Sequence, residues 1–135
     1  MANYTTGRLS LHLLQNKALL FCLVLYAGYY VCSRLGLQHP VLTNYLNDVL
    51  CMPLVLSAAL LYQRIITYRN AAYVFTGYHV IVAVVYYAVA FELVLPQFMP
   101  RYTADFYDVV AYAAGGWLYY RFINKAAVAP AAALK

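Results

Sequence analysis

The sequence predicts an all-α integral membrane protein, built as a bundle of four transmembrane helices. Of its 135 residues, 66% are hydrophobic and only 10% are charged, whereas soluble domains carry about 25% charged residues. The apolar residues fall into four runs, most of them close to the ~20 residues that cross a bilayer as a helix. These runs lack the alternation of polar and apolar residues that is typical of barrel strands. A chain of this length is expected to form one domain.

Prolines and basic residues separate the four runs. The predicted transmembrane segments are residues 18–32, 46–66, 73–95 and 105–123. The first run follows Arg8 and Lys17, as the apolar part of a signal peptide would, but no small-residue cleavage site comes after it. A retained helix is therefore predicted. The transmembrane domain is expected to cover residues 1–125, with residues 126–135 as a flexible C-terminal tail.

The basic residues predict the orientation of these helices. Seven of the nine lie in the N-terminal segment, the connection between the second and third runs, and the C-terminal segment, whereas the other two connections hold only Arg34 and Arg101. Cytoplasmic loops carry an excess of Lys and Arg, so both termini are predicted to be cytoplasmic. The net charge of +5 is thus interpreted as a topology signal. The expected partner is the lipid bilayer, and nucleic acid is not expected to bind.

All four acidic residues are predicted to lie at the outer leaflet. Asp48 opens the second helix, Glu92 lies near the end of the third, and Asp105 and Asp108 open the fourth. Ionisable groups in apolar segments are costly and usually have a role. Helix capping explains Asp105. Glu92 has no comparable structural role, because the helix dipole disfavours a carboxylate at a C-terminus and an apolar environment disfavours its charged form.

These acids and the two basic residues of the same side predict a polar pocket. The predicted ligand-binding residues are Asp48, Glu92, Arg101, Asp108 and Arg34. Pro53 lacks an N–H and frees the carbonyl of Val49 beside Asp48, which suits a cation or a hydrogen-bonding ligand, although Pro53 could equally serve only to kink the helix. In the fourth helix, Ala111 and Gly115 form a small-residue pair that allows close approach of a neighbouring helix.

Catalytic chemistry has no support in the sequence. The motifs of hydrolases, zinc proteases, P-loop proteins and dinucleotide-binding proteins are all missing, so neither a catalytic residue nor a cofactor is predicted. Cys22, Cys32 and Cys51 lack the spacing of metal ligands. They are interpreted as apolar thiols, with a disulfide between Cys32 and Cys51 as an open alternative.

The segment from Phe91 to Tyr120 resembles the signature half of VanZ-like membrane proteins. In that pattern a Glu is followed by a short outer loop that ends in Arg, a spacer, an Asp and a small-residue stretch with glycine. Glu92, Arg101, Asp108 and Gly115 stand at those positions. The resemblance implies a small multi-pass protein of the bacterial inner membrane. Some members of the family are associated with glycopeptide-antibiotic tolerance, and small proteins of this kind are sometimes labelled magnesium–citrate transporters.

Three hypotheses about function remain open. The first is an envelope binding module whose outer pocket takes a polar headgroup, a cell-wall precursor or a cation, including a divalent one. The second is a subunit of a proton- or cation-coupled transporter that uses Glu92 and Asp108 and assembles as a homo-oligomer or with a partner. The third is a structural bundle in which the acids and arginines only pair with one another. A membrane enzyme is a weaker fourth, because the sequence shows no nucleophile or metal motif.

Overall fold

The computed structural model of the chain describes residues 12–37, 39–100 and 105–127. Within these ranges the chain is helical and contains no strand, which confirms the predicted all-α class with four helices. Helix α1 covers Lys17–Arg34, after a 3-10 turn at His12–Gln15. The remaining helices are α2 at Pro40–Tyr62, α3 at Gly77–Ala88 and α4 at Phe106–Leu118.

Three of the four helices continue beyond these bounds as wider π-helical turns. The π turns are Gln63–Thr67 after α2, Val89–Val94 after α3 and Tyr119–Ile123 after α4. A further α-helical turn, Leu95–Phe98, follows the second of them. Single π turns are rare and often occur at functional sites. The turn after α3 contains Glu92, one of the predicted ligand-binding residues.

Local capping explains where the helices depart from the predicted segments. α2 begins at Pro40, whereas the second apolar run begins at residue 46, because proline suits the first position of a helix. α3 begins at Gly77 and not at residue 73, because Thr76 caps it. The Thr76 hydroxyl accepts a hydrogen bond from the His79 N–H, and its Oγ1 lies 2.7 Å from His79 Nδ1. The lone histidine of this helix therefore has a capping role.

Helix α4 packs closely against both α2 and α3 through two adjacent glycines. A Cβ on Gly115 would collide with the carbonyl oxygen of Val49 and would lie 3.0 Å from Met52 Cβ, both in α2. A Cβ on Gly116 would lie 2.6 Å from Val84 Cγ2 in α3. Successive helical residues point about 100° apart, so the pair accommodates two neighbouring helices at once. The predicted close approach of the fourth helix is thus made by Gly115 and extended by Gly116.

The core lies along α4 and the facing side of α2. Its fully buried members include Met52 and Leu60 from α2 and Tyr119 and Ile123 from the π turn after α4. α1 contributes fewer buried residues, chiefly Leu19. Two helices, Asn44–Thr67 and Gly77–Phe98, are long and apolar enough to cross a membrane by length and composition.

Polar side chains form hydrogen bonds between segments at the end of the bundle where α2 and α4 end. Asn124 donates to the carbonyl of Phe75 at 2.6 Å and accepts from the Phe75 N–H at 3.0 Å. Arg64 is 1% exposed and donates to the carbonyls of Tyr73 at 2.7 Å and Lys125 at 2.6 Å. Arg64 therefore has a structural role, because it links the connection between α2 and α3 to the segment after α4.

Candidate functional site

A cavity of about 640 Å³ opens at the other end of the bundle, where α2 and α4 begin. Helices α1, α2 and α4 and the π turn after α3 all contribute to its wall. The lining residues are Tyr26, Tyr29, Asn44, Asn47, Asp48, Cys51, Leu54, Val55, Phe91, Glu92, Asp108 and Tyr112. Three of the five predicted ligand-binding residues, Asp48, Glu92 and Asp108, are thus brought together although they come from three different helices.

Asp48 and Asp108 meet across the interface of α2 and α4. The two carboxyl groups lie in contact, and the Tyr112 hydroxyl lies beside the carboxyl group of Asp48. Tyr112 follows Asp108 by one helical turn, so both side chains leave α4 on the same face. Like charges at this separation repel each other when both carboxyls are ionised. The pair therefore favours either a shared proton or a bound cation.

Glu92 has a structural partner that the sequence did not reveal. Its side chain is 9% exposed and its Oε2 accepts a hydrogen bond of 2.5 Å from the backbone N–H of Asp105. This N–H belongs to the N-cap residue of α4, where backbone donors are unsatisfied and negative charge is favoured. The interpretation that Glu92 lacks a structural role was wrong. Glu92 both holds the start of α4 and lines the cavity.

Asp105 caps α4 as predicted. Its Oδ1 accepts a hydrogen bond of 3.0 Å from the Tyr107 N–H. Its side chain is not part of the cavity wall. Asp105 therefore differs from the three cavity acids and provides a control for them.

Of the two predicted arginines, only Arg34 falls within the described residues, and it does not join the acids. Arg34 is exposed at the end of α1, where its Nη2 donates to the Tyr30 hydroxyl at 2.9 Å. Its guanidinium carbon lies 5.3 Å from the centre of the Tyr30 ring, and Arg34 does not line the cavity. Arg101 lies outside the described residues. The described wall of the cavity thus carries three carboxyl groups and no basic side chain.

Aromatic rings form much of the remaining wall. Tyr26 and Tyr29 of α1 lie with their ring centres 6.3 Å apart, and Phe91 and Tyr112 are also 6.3 Å apart. Sequence reasoning did not assign these rings, or Asn44 and the other asparagine of the wall, to the site. For Asn44 and Tyr112 the spacing was the available signal, because each lies four residues from an acid on the same helix face. α1 has no acid that could have marked Tyr26 or Tyr29 in this way.

The Val49 carbonyl does not face the cavity. It packs against Gly115 of α4. One turn further along, the Ser57 hydroxyl donates a 2.6 Å hydrogen bond to the Pro53 carbonyl. Pro53 is buried, and this geometry gives no support to a ligand-binding role for the Val49 carbonyl that it frees.

Among the described residues, no three His, Cys, Asp or Glu side chains come close enough to hold one metal ion. Cys22, Cys32 and Cys51 are all free thiols, so the alternative of a disulfide between Cys32 and Cys51 is not realised in this structure. Cys51 lines the cavity, whereas Cys32 is exposed elsewhere on the surface.

No protein-family model, curated protein or solved structure matches the chain. The relationship to VanZ-like proteins therefore stays a prediction from the sequence. Of the four residues that carry it, the structure describes Glu92, Asp108 and Gly115. The first two lie in the cavity, and Gly115 lies at the contact of α4 with α2.

Proposed function

We propose that the chain is a small multi-pass membrane protein that binds an amine-bearing polar headgroup in its acidic cavity. The observation that carries this proposal is a cavity with three carboxyl groups, aromatic walls and, in its described part, no basic residue. In this proposal the four helices cross the bilayer with both termini in the cytoplasm, and the cavity opens at the outer leaflet. A VanZ-like protein of the bacterial inner membrane would have this arrangement.

The character of the exposed surface supports the membrane location. In the helix Gly77–Phe98 only 11% of the most apolar stretch is buried inside the molecule. Ile81 is 63% exposed, and Val24 on α1 is 69% exposed. Soluble monomers rarely expose large contiguous apolar patches, whereas lipid tails would cover such side chains.

The size and chemistry of the cavity favour an organic cation over a metal ion. A volume of about 640 Å³ lies within the ~300–1,000 Å³ range of small-molecule sites. An ammonium group would relieve the repulsion between Asp48 and Asp108. It could also lie over the face of a tyrosine ring in a cation–π contact. These contacts need no close cluster of three ligands, and the described residues contain none.

A second candidate function rests on the contact between Asp48 and Asp108. Two adjacent carboxyl groups that share a proton suit a subunit of a proton- or cation-coupled transporter. This function predicts flux across vesicles that stops when the gradient is removed. The headgroup-binding function predicts binding without flux.

The thiol of Cys51 gives a direct test of binding. Purified full-length protein is treated with N-ethylmaleimide, and the alkylation rates of Cys51 and Cys32 are compared in the same chain. Short-chain phosphatidylethanolamine is the amine-bearing probe, and short-chain phosphatidylglycerol and Mg²⁺ are the comparisons. At ten times its dissociation constant the probe should slow Cys51 alkylation about tenfold without changing Cys32.

Two matched variants assign this protection to the cavity. Asp108→Asn should abolish it, because the substitution removes a cavity charge. Asp105→Asn removes a charge at the same end but keeps a good N-cap residue, and it should leave protection intact. Equal protection by phosphatidylglycerol, or full protection in Asp108→Asn, would show that the amine and the carboxyl groups are not the determinants.

A further inference from the structure

A second polar cavity lies at the end of the bundle that holds Arg64. Its volume is about 300 Å³. Along α2 and the π turn that follows it, Arg64 lies about 24 Å beyond Asp48, at a rise of 1.5 Å per residue. The polar lining residues are His12, Gln15, Asn16, Arg64 and Lys125. The lining contains no acidic residue in the part of the chain described.

Arg64 carries a buried charge without an acidic side chain near it. The sequence contains only four acidic residues, and these are Asp48, Glu92, Asp105 and Asp108 at the opposite end. A buried charge is costly unless it is paired and hydrogen-bonded. The carbonyls of Tyr73 and Lys125 accept hydrogen bonds from Arg64, but carbonyls are neutral. The charge of Arg64 therefore favours an external anion.

The guanidinium retains donors for such an anion. An Arg side chain has five N–H groups, of which one on Nε and one on Nη2 donate to these two carbonyls. The planar guanidinium matches the geometry of a phosphate, as it does that of a carboxylate, and often binds it in a bidentate way. Lys125 supplies a second positive charge to the same wall.

We propose that the Arg64 cavity binds a phosphate group, with Arg64 and Lys125 as its cationic contacts. The phosphate is either free in solution or part of the headgroup of an anionic phospholipid. At the end of the bundle that holds Lys17, Arg69, Arg121 and Lys125, a lipid source agrees with the attraction of basic residues to anionic lipids.

Lys125 provides the variant that separates binding from folding. The substitution Arg64→Ala would remove two structural hydrogen bonds and could unfold the chain. Lys125→Gln keeps the backbone carbonyl that accepts from Arg64 and removes only the side-chain charge. Arg69→Gln makes the same change of charge at an exposed residue that does not line the cavity. Helical circular dichroism without phosphate checks that both variants fold.

The melting temperature of the full chain is measured in two settings. In maltoside micelles inorganic phosphate is titrated against chloride at matched ionic strength. In nanodiscs phosphatidylglycerol is compared with a phosphate-free galactolipid. A rise in the first setting identifies free phosphate as a ligand, and a rise only in the second identifies the lipid phosphate.

In either case the apparent dissociation constant should increase about tenfold in Lys125→Gln, as for the loss of one charge-assisted hydrogen bond. In Arg69→Gln it should stay within about twofold of the original, since an exposed charge away from the cavity contributes little. The proposal is overturned if the two variants respond alike, or if neither form of phosphate raises the melting temperature of the unmodified chain.

Discussion

At the scale of single residues, the acids of this chain differ in the contacts that they make within the fold. Asp105 serves the helix terminus, Asp48 and Asp108 face each other in the cavity, and Glu92 does both. The effect of mutating a residue with two roles is easily misinterpreted, because a loss of binding could follow from a loss of structure. Substitutions at Glu92 must therefore separate its hydrogen bond from its charge.

Two substitutions at Glu92 make that separation. Glu92→Ala leaves the Asp105 N–H without its acceptor and should lower the free energy of unfolding by about 1–3 kcal/mol. Glu92→Gln keeps a side-chain oxygen as acceptor and should cost less than half as much, although it removes the charge. Unfolding in mixed micelles measures both values. If Gln destabilises as much as Ala, the charge and not the hydrogen bond holds the start of α4.

Asn124 is the corresponding residue at the other end of the bundle. Asn124→Ala should lower the free energy of unfolding by about 1–3 kcal/mol, because it leaves both the N–H and the carbonyl of Phe75 unsatisfied. Asn70→Ala is the control, since the Asn70 side chain accepts an exposed turn bond from the Ala72 N–H. A similar loss in both variants would show that the bridge to Phe75 has no special weight.

At the scale of elements, α4 decides how the bundle is assembled. Gly115 and Gly116 face different helices, so α2 and α3 approach the same short stretch of α4. The π turn after α3 carries Glu92 to the start of α4. The cavity therefore depends on the position of α4, which supplies Asp108 and whose N-cap N–H donates a hydrogen bond to Glu92.

The glycine contact gives a prediction about helix packing. Gly115→Ala places a methyl group against the Val49 carbonyl and should destabilise the fold by about 1–3 kcal/mol, as overpacking does. Gly28→Ala is the matched control, because nothing lies within 4 Å of an added Cβ there. It should be neutral or stabilise α1 by up to about 1 kcal/mol. Melting of both variants by circular dichroism tests the difference, and equal melting temperatures would contradict the packing.

At the scale of the whole molecule, the two ends differ in charge. One end holds the four acidic residues and a cavity that three of them line, and the other end buries Arg64 beside a smaller cavity with Lys125. The apolar sides of the helices between these ends are largely exposed. A bilayer with the acidic end at the outer leaflet would satisfy all three features at once.

Cysteine labelling tests this orientation. One single-cysteine variant retains the exposed Cys32, and the other carries Ala72→Cys, an exposed position between α2 and α3. A membrane-impermeant maleimide should label Cys32 in sealed, outward-facing vesicles, whereas Ala72→Cys should react only after permeabilisation. The reverse pattern would show that the orientation is inverted. Labelling of both sites from the outside would contradict a membrane-spanning α2.

The sequence by itself determined the helical class, the rough position of the four helices and the cap at Asp105, because these depend on local composition and on neighbours within one or two turns. It also indicated that Asp48, Glu92 and Asp108 belong together, since costly groups at corresponding ends of apolar runs are expected at the same level. It did not reveal the tyrosines of the wall, because a tyrosine suits a membrane interface as well as a cavity.

Only the tertiary structure decided which partners these residues have. Glu92 reaches the Asp105 N–H, Arg34 turns to Tyr30, and the Val49 carbonyl meets Gly115. Arg64 is buried against carbonyls contributed by two distant segments. Arg34 and Tyr30 lie one turn apart in α1, but each of the other outcomes depends on the rotation of one helix against another. That rotation is set by the summed packing of side chains and glycines along whole interfaces, which no single stretch of sequence contains.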